Sequence, residues 1–124
     1  MVRRLSTLFL AGCFALVSAA AFASLNPFGP TGLALTQDDI AAMAVAVDPL
    51  LNDESTPIGT SRNWNNDKSG NHGSITLLQR FRYEYNGSNL NCRKLKYRFV
   101  IKGDADAHNV EIRRCLVGGK WKFF

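Results

Sequence analysis

The stretch CRKLKYRFVIKGDADAHNVEIRRC, Cys92 to Cys115, opens and closes on cysteine and holds two runs of strict alternation around a polar middle. Leu95, Tyr97, Phe99 and Ile101 alternate with Lys94, Lys96, Arg98 and Lys102, which is the period of a half-buried strand. Val110, Ile112 and Leu116 mark a further strand after Gly103-Asp104. If Gly103-Asp104 is the turn between them, facing residues sum to 207. Leu95 then faces Ile112, Tyr97 faces Val110, Lys96 faces Glu111, and Cys92 faces Cys115. A single register therefore matches apolar with apolar, pairs a lysine with a glutamate and closes a disulfide on the basic face of the sheet.

Outward from this hairpin the same period continues. Ile75, Leu77, Phe81, Tyr83 and Tyr85 alternate with Thr76, Arg80, Arg82 and Glu84, and Asn86-Gly87 begins a turn. Gly118-Gly119 is a two-residue hairpin signal leading into Lys120 to Phe123. Upstream the period changes. Thr36-Gln37-Asp38-Asp39 has the form of a helix N-cap with an acid three residues on. Ile40, Met43, Val47 and Leu50 or Leu51 follow at helical spacing, so a helix is expected from Gln37 to about Val47, with Pro49 ending it. The expected fold is α+β, one N-terminal helix packed on a four-stranded antiparallel meander with one disulfide.

The first 23 residues read as a signal peptide. Arg3 and Arg4 are followed by an apolar run from Leu5 to Val17 and by Ala21-Phe22-Ala23, an A-x-A cleavage signal. A transmembrane anchor is the alternative, but the run is short for a span and ends in small residues. Leu10-Ala11-Gly12-Cys13 also has the form of a lipobox, so a lipoprotein acylated at Cys13 stands beside cleavage after Ala23. Residues 24–35, with Pro27, Gly29, Pro30 and Gly32, read as a flexible lead-in, and 36–124 as the domain. With Cys13 removed or acylated, two thiols in an exported chain point to one disulfide in an oxidising compartment.

Charge is unevenly placed. From Ser24 to Ser61 five acids stand without a lysine or arginine, and from Arg62 onward thirteen basic residues face five acids. The basic half suits an anionic surface such as lipopolysaccharide or peptidoglycan, through Arg80, Arg82, Lys94, Lys96, Arg98 and Arg113; a solvated sheet face is the plainer reading. Aromatic and basic residues interleave from Arg80 to Arg98, but strict alternation puts rings and cations on opposite faces, so no nucleic acid is expected as a partner. Asp104, Asp106 and His108 read as a polar hairpin end, because the glycine-spaced acidic loop of a calcium site is missing. His72 lacks a nucleophile arrangement around it, and no Gly-Lys-Ser/Thr follows Gly70 and Gly73. No metal, cofactor or catalytic activity is expected.

WNNDKSGNHG, Trp64 to Gly73, reads as the connection from the helix to the first long strand, with Trp64 on the apolar face. Trp64, Asn66, Ser69, Gly70 and Gly73, then Cys92-Arg93, then Cys115, Gly119 and Trp121 together resemble the C-terminal domain of the 17 kDa outer-membrane surface antigens of Gram-negative bacteria. The likeness runs from about Leu35 to Phe124. Asp67, Leu95 and Leu116 depart from the family pattern, and the glycine-zipper segment of many members is absent. The resemblance implies an exported envelope protein, in the periplasm or at the outer membrane, structural or surface-exposed. It also supports the Cys92–Cys115 disulfide and adds weight to lipidation at Cys13. The alternative is a soluble periplasmic binding or inhibitory module that holds an anionic partner on its basic sheet face.

Overall fold

The structure is a computed structural model that describes residues 28–124. The expected signal peptide, residues 1–23, and the candidate lipidation site Cys13 lie outside the described residues. A short 3-10 turn, Gly29–Thr31, precedes helix α1, Gln37–Asn52. Five strands follow: β1, Ser61–Asn66; β2, Asn71–Tyr85; β3, Ser88–Val100; β4, His108–Val117; and β5, Lys120–Phe123. They pair antiparallel in the order β1-β2-β3-β4-β5. The class is α+β, as expected, with five strands where four were predicted.

The fold grows from the Cys92–Cys115 hairpin in the predicted register. Leu95 faces Ile112, Tyr97 faces Val110, Lys96 faces Glu111, and Cys92 faces Cys115 with the disulfide formed. The ladder ends at Phe99 and His108, so the connection runs over residues 101–107 and is longer than the two-residue turn expected at Gly103-Asp104. The other two turns are tight. Asn86 and Gly87 have φ of 49° and 76°, and Gly118 and Gly119 have 59° and 79°, the left-handed pairs that match the twist of a hairpin.

The added strand is β1. Its sequence, SRNWNN, is rich in asparagine and buries one side chain, Trp64, so it carries no alternating apolar signal. It survives as an edge strand because β2 supplies its ladder, with Trp64 facing Gly73. A side chain cannot stand at Gly73: a Cβ there would lie 1.8 Å from the Arg98 carbonyl oxygen and 3.0 Å from Trp64 Nε1.

Helix α1 begins as read, with a capping box in which Thr36 Oγ1 accepts from the Asp39 amide and Asp39 accepts from the Thr36 amide. It does not stop before Pro49 and continues to Asn52 with the proline inside. The N–H that proline lacks would have served the carbonyl of Val45, an exposed residue whose carbonyl water can reach. Leu50 and Leu51, both buried, hold the last turn down, and the Asp53 amide donates to the Pro49 carbonyl. Residue 28 belongs to the core as well. Phe28 is buried with its ring 5.0 Å from Tyr97 and 5.1 Å from Phe99, so the stretch read as a lead-in packs on the sheet from this point.

The core lies between α1 and one face of the sheet, here called inner. Met43, Val47, Leu50 and Leu51 of the helix meet Trp64, Ile75, Leu77, Leu95, Tyr97 and Phe99. A β-bulge in β2 limits this pattern. Leu77 faces Leu95 but Gln79 faces Lys94, so Leu78 is an extra residue and every later residue of β2 changes face. Ile75 and Leu77 point inward as expected. Phe81, Tyr83 and Tyr85 do not continue that stripe: Phe81 faces Cys92, and the three rings stand on the outer face.

Candidate functional site: the outer face of the sheet

Four motif residues, Asn66, Ser69, Arg93 and Trp121, are placed by bonds between the two ends of α1 and the sheet. At its N-terminus, the buried Asp39 carboxylate accepts from Asn66 Nδ2 at 2.8 Å, Ser69 Oγ at 2.6 Å, Asn71 Nδ2 at 2.8 Å and the Thr36 amide at 2.8 Å. Burial pushes its pKa up, and these four hydrogen bonds together more than offset that, holding it below the ordinary value of 3.8. Asn71 also donates to the Ala34 carbonyl and accepts from the Lys102 amide, tying the β3–β4 connection to the same point. At the C-terminal end, Arg93 is buried, donates to Glu54 at 2.6 Å and lies over the Trp121 ring at 5.1 Å. The Trp121 Nε1–H donates to Asn52 at 2.8 Å. Asn66, Ser69, Arg93 and Trp121 thus join helix to sheet, Trp64 is buried in the core, Gly73 lies against the Arg98 carbonyl, and Gly70 and Gly119 have φ of 75° and 79°. The ligand-like look of WNNDKSGNHG comes from side chains that bind Asp39.

The bulge divides the six predicted cationic residues. Lys94, Lys96, Arg98 and Arg113 stand together on the outer face. Arg80 and Arg82 stand on the inner side, where Arg80 faces Arg93, donates to the Thr56 carbonyl and lies 3.7 Å from Glu54. Lys122, facing Cys115, and Lys120, facing Val117, join the outer group from β5. Sequence reasoning missed these two because the short strand β5 was not given a register. Among the strand residues of this face Glu111 is the single carboxylate, 3.3 Å from Lys94. Helix α1, which packs on the other side, carries its acids away from it.

The face has two regions. Toward β1 it is polar: Asn63, Asn65, His72, Ser74 and Arg98 line a shallow hollow of about 670 Å³. Toward the β2–β3 turn it is aromatic. Phe81, Tyr83, Arg113, Cys115 and Phe124 line a smaller hollow of about 150 Å³ above the disulfide. The Phe124 amide donates to the Arg113 carbonyl, which extends the β5 edge and brings the Phe124 ring to 5.4 Å from Tyr85 and 6.1 Å from Tyr83. Rings and cations thus share one surface, contrary to the alternation read from sequence. The signal was present: Leu77-Leu78-Gln79 breaks the period at the bulge, putting a glutamine where an inward residue belonged.

Among the described residues no group of three or more His, Cys, Asp and Glu side chains stands close enough to hold a metal ion. His108 Nε2 and Asp104 Oδ2 pair at 2.9 Å at the end of the β3–β4 hairpin. Among the same residues no helix is long and apolar enough to cross a membrane. No protein-family model, no curated protein and no solved structure matches the chain.

Proposed function

We propose that the chain is an exported, non-enzymatic protein of the Gram-negative envelope that holds an anionic partner on the outer face of its sheet. The observation that carries this reading is the placement of Lys94, Lys96, Arg98, Arg113, Lys120 and Lys122 against one carboxylate, Glu111, on the face that α1 leaves uncovered. A mostly cationic, extended, exposed face favours an extended polyanion, and lipopolysaccharide or peptidoglycan is the class an envelope protein meets. The envelope placement follows from the resemblance to the surface antigens and from the signal-peptide reading of residues 1–23.

Retention on immobilised lipopolysaccharide and on peptidoglycan sacculi tests the reading. The chain is retained at low salt and released as salt rises; no retention at low salt overturns it. Fractionation with palmitate labelling tests its place. A labelled outer-membrane protein shows anchoring through Cys13, and an unlabelled soluble one shows cleavage after the signal.

A further inference from the structure

The outer face continues past the body of the sheet. β1 pairs with β2 only as far as Thr76, and β4 pairs with β3 only back to Cys92. Residues 82–91 therefore form a two-stranded arm with no third strand beside it. Such a ribbon is marginal alone, and apolar side chains on it need covering. Yet its outer side bears Tyr83 at 44% exposure and Tyr85 at 48%, joined by Phe124 at 47%. Tyr83 and Tyr85 stand 6.4 Å apart and near-parallel at 24°, and Phe124 packs edge-on to both at 68° and 88°, so the three rings make one apolar knob. Arg113 and Lys122 lie on the same face behind the knob, and Lys94 beyond them.

We propose that this aromatic arm, with the cations behind it, docks the protein onto the surface of an anionic lipid bilayer. The inference rests on the reading of the outer face as an anion-binding surface and names its partner. Half-exposed tyrosine and phenylalanine rings clustered on one face suit the headgroup region, where an apolar body is buried and a phenolic hydroxyl stays wet. Arginine and lysine behind them sit at the level of lipid phosphates, and the two contributions add, as in other surface-bound proteins. A second copy of the chain is a poorer occupant, because pairing two knobs brings two rims of the same sign together. A single-stranded nucleic acid wants separate ring faces for its bases, whereas each of these rings packs against the other two.

The test uses the exported chain carrying Cys13→Ser, so that no acyl group contributes, and a ring variant, Tyr83→Ser/Tyr85→Ser/Phe124→Ser. All three sites are about half exposed, so the variant keeps its core. Sedimentation with vesicles of equal phosphatidylglycerol and phosphatidylethanolamine is compared with pure phosphatidylcholine vesicles, and retention on a dextran sulfate column is measured in parallel. The parent chain partitions onto the anionic vesicles and not onto phosphatidylcholine, and the ring variant partitions about tenfold more weakly or less. Column retention is the same for both, since it reads the cations alone. Equal partition of the two chains overturns the docking arm, as does a parent that stays unbound at about 50 mM salt. If that unbound parent is still held by dextran sulfate, the anion-binding face survives and only the membrane partner falls. Loss of column retention as well removes both. A dimer that the ring variant loses, or a single-stranded oligonucleotide bound more tightly than the vesicles in a ring-dependent way, overturns the proposal in favour of that occupant.

Discussion

Asp39 is the residue on which helix and sheet meet. Its two oxygens receive four donors, three of them from side chains 27 to 32 residues away in β1, β2 and the turn between them. Asp39→Asn keeps the shape but turns an NH2 group toward donors, and about 2–3 kcal/mol of stability is expected to be lost in urea unfolding at neutral pH. The folded-state pKa lies below the ordinary 3.8, so this contribution is complete above that value and fades as pH falls through the folded pKa. Acid titration should therefore show the gap between wild type and Asp39→Asn narrowing below about pH 4. Gly73 is the second such residue. Gly73→Ala puts a methyl group inside the Arg98 carbonyl, where backbone has to move, and a loss of about 3 kcal/mol is expected on the same measurement. A Gly73→Ala protein as stable as wild type would mean that the β2–β3 ladder is looser than described. The capping box was legible from Thr36 and Asp39, but the partners of Asp39 were not, because local pattern carries no information about bonds across 30 residues.

At the scale of elements, what was legible depended on periodicity. The β3–β4 register followed from two alternating runs and a pair of cysteines, because a one-residue slip would have turned every apolar side chain outward. β1 was hidden because asparagines satisfy both turn and strand descriptions and one tryptophan makes no period. The end of α1 was misplaced because a proline was weighed without Leu50 and Leu51, whose burial outweighs one missing hydrogen bond. The β2 bulge cost the most, since it reversed the face of three rings and two arginines that strict alternation had placed. The disulfide joins the two best-defined strands across a separation of 23 residues. Cys92→Ser/Cys115→Ser is expected to lower unfolding stability by about 3 kcal/mol, by the entropy of the closed loop. A peptide map of the protein, prepared without reducing agent, should recover Cys92 and Cys115 in one linked peptide; two free thiols would contradict the pairing.

For the whole molecule, charge and chain order act together. The acidic half folds into α1 and the loop after it, and that half covers the inner face, where Glu54 meets Arg93 and Arg80. The basic half forms the sheet, with Lys94, Lys96, Arg98, Arg113, Lys120 and Lys122 on its outer side and Arg62, Arg82 and Arg114 beside Arg80 and Arg93 on the inner side. Glu54 thus answers Arg80 and Arg93 on the covered side, while on the uncovered side Glu111 is the single strand carboxylate beside six cations. A pair of variants separates the two. Lys96→Glu/Arg98→Glu reverses charge in the middle of the outer face, and Arg82→Glu reverses it on the inner side, with all three residues exposed. Fold should be kept in each, as surface changes away from packed groups alter stability by about 0.5 kcal/mol or less. The most direct measurement is the affinity of these chains for lipopolysaccharide at a series of salt concentrations. Wild type and Arg82→Glu are expected to bind alike and weaken with salt, while Lys96→Glu/Arg98→Glu binds at least about tenfold more weakly at low salt. Equal loss in both variants, or no loss in either, would contradict a binding face on the outer side of the sheet.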